Sequence, residues 1–61
     1  MLFSKTVTTI YKGDTIVWNE REKAISFFRT ALKSSTGSEH QRNSRIYKKL
    51  IMGESICSDE D

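Results

Sequence analysis

Apolar positions in this chain follow two different periods. In LFSKTVTTIY (residues 2–11) and DTIVW (residues 14–18), β-branched and aromatic residues alternate with polar ones, the period of a half-buried strand. Gly13-Asp14 lies between the two runs, and glycine at the first central position suits a type II′ hairpin turn. With those two residues as the loop, Lys12 faces Thr15, Tyr11 faces Ile16, Ile10 faces Val17 and Thr9 faces Trp18. This register puts Phe3, Val7, Tyr11, Ile16 and Trp18 on one face. Leu2, Ser4, Thr6, Thr8, Ile10 and Val17 fall on the other, and the aromatic face is expected to be the buried one.

Beyond Asn19 the period lengthens to that of a helix. Ala24, Ile25, Phe28, Ala31 and Leu32 recur on one stripe over residues 20–35, with Phe27 at its edge. Asn19-Glu20-Arg21-Glu22 has the form of a capping box at the start of that helix. Ser34 to Ser38 interrupt the pattern, and Gly37 suits a left-handed cap on the first helix. Ser38-Glu39-His40-Gln41 is a second capping box. A second helix follows over residues 39–52, with Asn43, Ile46, Tyr47, Leu50 and Ile51 on its inner face and Gly53 at its C-terminus. The expected architecture is one small α+β domain, an N-terminal β-hairpin followed by two α-helices (ββαα) over residues 1–53. Residues 54–61, ESICSDED, are expected to form an acidic C-terminal tail, with Ile56 and Cys57 docking on the core and Ser58 to Asp61 mobile.

Composition narrows the chemistry. Sixty-one residues make one core, and a core of this size rarely supplies more than about 3–5 kcal/mol. Cys57 is the only cysteine and His40 the only histidine, so neither an internal disulfide nor a closed zinc site is expected. Self-association as a homodimer is one remaining aid to stability. A free cysteine suits a reducing compartment. MLFSKTVTT does not read as a signal peptide, and no apolar run reaches the roughly 20 residues of a membrane span. The expectation is a cytoplasmic protein with no membrane partner.

The net charge of +2 conceals an asymmetry: residues 1–53 carry +6 and the last eight residues carry −4. RNSRIYKKL (residues 42–50) holds four of the cations. On a helix, Arg42, Arg45 and Lys49 stack at spacings of three and four with Lys48 beside them, while Ile46, Tyr47 and Leu50 point the other way. Clustered cations on one helix face are the footprint of phosphate binding. Arg42, Arg45, Lys48 and Lys49, with His40 and Ser38 near the helix N-terminus, are therefore the candidate nucleic-acid contacts, with DNA as the partner. The plainer reading is a solvated helix face, since Lys and Arg are good helix formers and suit a helix C-terminus. The acidic tail has its own alternatives: folding back over Arg42, Arg45 and Lys49, or imitating phosphate toward a basic partner.

A second class of function is a protein-interaction module. Phe27 and Tyr11 are its candidate interface residues, with the acidic tail as an accessory. Catalysis is not expected. Cys57 and His40 fall at opposite ends of the second helix, about 17 residues apart at roughly 1.5 Å each. No glycine-rich phosphate loop and no paired-carboxylate site is present.

Two likenesses bear on these readings. The strand-helix-helix order from Thr15 onward looks like that of ribbon-helix-helix repressors, except that here a long first strand is placed to pair with the second within the chain. More broadly, GDTIVW, REKAISFF, GSEHQRNSRIY and ICSDED, over residues 11–61, resemble small accessory proteins encoded on conjugative transposons of streptococci and related Gram-positive bacteria. That resemblance implies a cytoplasmic protein of a mobile element, acting on DNA or on a host defence protein. It brings no catalytic residues with it.

Overall fold

The hairpin closes at Lys12-Gly13 rather than at Gly13-Asp14. Both residues have positive φ, +50° and +85°, the pattern of a type I′ turn, which glycine at the second position favours. In the computed structural model, which describes residues 5–60, strand β1 (Val7–Tyr11) pairs antiparallel with β2 (Asp14–Trp18). The partners are Val7 with Trp18, Thr8 with Val17, Thr9 with Ile16, Ile10 with Thr15 and Tyr11 with Asp14. The expected register is thus displaced by two residues. A displacement of two keeps every side chain on its face, so Val7, Tyr11, Ile16 and Trp18 still share one side. The inner side is buried at Val7 and Thr9, and Trp18 Nε1 donates to Thr9 Oγ1 at 2.9 Å. Leu2, Phe3 and Ser4, assigned above to the hairpin faces, lie outside the described residues.

Helices α1 (Arg21–Ser34) and α2 (Gly37–Ile51) follow. Neither capping box forms. The N-caps are Glu20 and Thr36, and neither side chain makes a capping hydrogen bond. The extended Ser35 and Thr36 bring the chain round, so α2 begins two residues earlier than Ser38 would place it. Gly37 has φ +65° but opens α2 instead of closing α1. At the far end the glycine reading holds. Gly53, at φ +91°, donates its N–H to Leu50 O at 3.2 Å, and Glu54 N–H reaches Lys49 O at 3.1 Å. Those two bonds make a Schellman motif.

Val7, Ala24, Phe28, Ile46, Leu50 and Cys57 form the core, with Tyr11, Trp18, Ile25 and Tyr47 packed around it. The inner stripes of both helices are therefore those their periodicity marks, apart from Ile51, which is exposed. Asn43 is buried on that stripe and satisfied by donating Nδ2–H to Ser35 Oγ at 3.2 Å.

Residues 54–60 do not form a tail, and Asp61 lies outside the described residues. Ile56–Ser58 forms strand β3, which pairs parallel to β1 and completes a three-stranded sheet in the order β2-β1-β3. Thr8 N–H donates to Ser55 O at 2.9 Å and Asp59 N–H to Ile10 O at 3.0 Å, extending the ladder beyond the strand at both ends. Cys57 is fully buried and Asp59 is 1% exposed, whereas Ile56, expected to dock with Cys57, points outward and is 62% exposed. The α+β class stands, with β3 added to the expected ββαα order. The boundary placed at residue 53 runs through the helix-to-strand connection of one packed unit.

Candidate functional site

The basic face of α2 and the C-terminal segment lie against each other. Arg42 Nη1 donates to the Asp59 carboxylate at 3.0 Å, and Arg45 Nη1 to the Asp59 carbonyl at 3.2 Å. Lys49 Nζ reaches two carbonyls, Ser58 at 3.1 Å and Glu60 at 2.9 Å. Spacings of three and four put these cations on one ridge, and that ridge holds down the end of β3 and the two residues after it. Lys48 is exposed beside it. Of the other candidate nucleic-acid contacts, His40 Nδ1 lies 3.1 Å from Leu32 O at the end of α1, and Ser38 is exposed on the first turn of α2.

Asp59 ties this cluster to the hairpin. Its Oδ2 also accepts from Lys12 N–H at 2.8 Å, so the turn, the helix and the C-terminal segment meet on one carboxylate. Burial by itself works to raise the pKa of Asp59. The bonds from Lys12 N–H and from the Arg42 guanidinium, with the charge of Arg42, outweigh it and hold the carboxyl below its ordinary value. On the surface nearby, Lys12 Nζ pairs with Glu39 at 3.1 Å, and that hydrogen bond, with the charge of Glu39, raises the lysine pKa.

The candidate protein-interaction residues converge elsewhere. Tyr11 and Phe27 line one groove of about 250 Å³, together with Ile16, Phe28 and Ala31 and, at its polar margin, Asp14 and Asn43. Phe27 is 53% exposed. It is nevertheless held in place: its ring centroid lies 5.5 Å from that of Trp18 and 5.1 Å from that of Phe28, the latter edge-on. A ring ordered by two aromatic neighbours loses little further freedom when a partner covers it.

The groove runs beside an unpaired sheet edge. On β1, Thr8 and Ile10 direct their backbone bonds toward β3. Backbone bonding alternates along a strand, so Thr9 and its neighbours on either side bond toward β2, in the pairs Val7–Trp18, Thr9–Ile16 and Tyr11–Asp14. On β2 this leaves the N–H and C=O groups of Thr15 and Val17 facing outward. No strand covers them among the described residues. Ile16 beside the groove and Val17 on the opposite sheet face are 44% and 64% exposed. Neither Lys nor Pro, the usual guards of a sheet edge, stands in DTIVW.

Sequence reasoning does not find the roles of Arg21 and Asp59. Arg21 is buried and donates to Leu50 O at 2.9 Å and Gly53 O at 3.3 Å, placing its cation at the negative end of the α2 dipole. Each residue sits where its local pattern reads as solvent: Arg21 in a first helical turn, Asp59 in a run of acids. Among the described residues no group of three or more His, Cys, Asp or Glu is placed to hold a metal ion. No helix among them is long and apolar enough to cross a membrane. No protein-family model, curated protein or solved structure matches the chain.

Proposed function

We propose that this chain is a non-enzymatic protein-interaction module that binds an extended segment of a partner protein along β2. One observation carries the reading: an ordered, exposed Phe27 lines an apolar groove directly beside the unpaired backbone groups of Thr15 and Val17. Strand addition supplies backbone hydrogen bonds, and a pocket beside the edge selects alternate side chains. The occupant this surface suits is therefore an extended segment with an apolar side chain at every second position. The mobile-element resemblance adds a host protein as the partner class. With Cys57 kept reduced, the setting is the cytoplasm.

Nucleic-acid contact through α2 has less support, because Arg42, Arg45 and Lys49 already bind the C-terminal segment. Duplex binding with a log–log salt slope near −3.6, the value for about four phosphates, would restore it. The direct test of the interaction reading is selection of displayed random peptides on the folded protein. The expected result is enrichment of alternating apolar sequences whose binding is lost in Phe27→Ala and kept in Lys48→Ala. Enrichment of no consensus, or binding indifferent to Phe27, would overturn it.

A further inference from the structure

Resting on that reading, we infer that while no partner protein is bound the edge of β2 accepts β2 of a second copy, so that two chains join in one six-stranded antiparallel-centred sheet. The geometry is self-complementary about Ile16. Thr15 and Val17 both present their backbone groups outward. A two-fold axis between Ile16 and its symmetry mate sets Thr15 of each copy against Val17 of the other. Those are the positions that exchange both N–H···O bonds in an antiparallel ladder. Ile16 then falls at the closely spaced, non-bonded position, next to its own copy. No other centre within DTIVW places both outward residues opposite outward residues of the mate inside the strand.

The side chains agree with this register. Ile16 points to the sheet face that α1 covers, so the two Ile16 side chains and the two exposed Phe27 rings meet around the axis. On the opposite face, each Val17 lies next to Thr15 of its mate. Four backbone bonds and a few apolar side chains make a small interface, well below the roughly 1,200–2,000 Å² of stable complexes. The association expected is reversible and concentration-dependent.

Sedimentation velocity over a wide concentration range tests this on the full chain. Wild type should move from 7.0 kDa toward twice that mass as concentration rises. Thr15→Pro removes an N–H that points away from β1, so the hairpin keeps its bonds and the dimer loses two of its four. This variant should stay monomeric with an unchanged circular dichroism spectrum. Should proline disturb the fold, Val17→Lys places a guarding charge on the same edge at an exposed position and should have the same effect. A wild type that stays monomeric throughout, or folded edge variants that associate as well as wild type, would overturn the inference. Peptide selection on wild type, held dilute enough to be monomeric, separates the two proposals, since the edge variants also disable the backbone edge that a bound peptide would use. Phe27-dependent capture without self-association leaves the groove standing and removes only the second copy as its occupant.

Discussion

Replacing Asp59 by alanine removes a carboxylate that joins three elements. The side chain accepts one bond from Lys12 N–H at 2.8 Å and one from Arg42 at 3.0 Å. A hydrogen bond involving a charged group is worth about 1.5–3 kcal/mol. Arg42 is more than a third exposed, so water screens its bond toward the roughly 0–1 kcal/mol of a surface pair. Together the two bonds should be worth about 2–3 kcal/mol, most of the roughly 3–5 kcal/mol that a core of this size supplies. In a domain of about 60 residues, each kcal/mol moves Tm by about 4–8 °C. Asp59→Ala should therefore melt about 10–20 °C below wild type and lose urea midpoint at unchanged slope. Glu60→Ala, which removes an exposed side chain, should match wild type. The pH dependence follows from the same bonds. The folded pKa of Asp59 lies below its ordinary 3.8, so its contribution is complete above that value and is lost as pH falls from there through the folded value. Asp59→Asn should flatten that acid limb. A loss under about 0.5 kcal/mol in Asp59→Ala, or an acid limb unchanged in Asp59→Asn, would refute the reasoning.

Reversing Arg42, Arg45 and Lys49 together to Glu should abolish folded circular dichroism, because three anions would then face Asp59 and the carbonyls of Ser58 and Glu60. A cooperatively folded triple variant would contradict this. Arg21→Met keeps the buried stem but removes the guanidinium bonds to Leu50 O, which retains the Gly53 N–H, and to Gly53 O, and urea unfolding should show a loss of about 2–3 kcal/mol. Cys57 is fully enclosed, and burial raises its thiol pKa above the ordinary 9.0. Iodoacetamide should modify the native protein about two to four orders of magnitude more slowly than the urea-unfolded chain, in line with a stability of about 3–5 kcal/mol. The unfolded thiol ionises first, so stability should also decline as pH rises past 9.0.

Whatever depends on neighbours a few positions away is legible along the chain. Period two and period 3.6 mark β1, β2, α1 and α2 and most of the core, because each side chain's face follows from the backbone repeat alone. Gly53 at the end of α2 is legible for the same reason, as is Phe27 at the margin of its stripe. Tertiary structure decided what depends on distant partners. The hairpin register turned on which residues adopt positive φ, and Lys12 takes that conformation where its N–H meets Asp59, 47 positions away. Three residues of β3 are too few to show a period, and their place in the sheet comes from the backbone of β1. The charges left a choice open for a related reason. A helix face of cations and an acidic end can each face solvent, or the end can fold back over Arg42, Arg45 and Lys49; the folded chain takes the second course, with contacts of about 3 Å. Tyr11 and Phe27, 16 positions apart and on different elements, share a groove through the same closure.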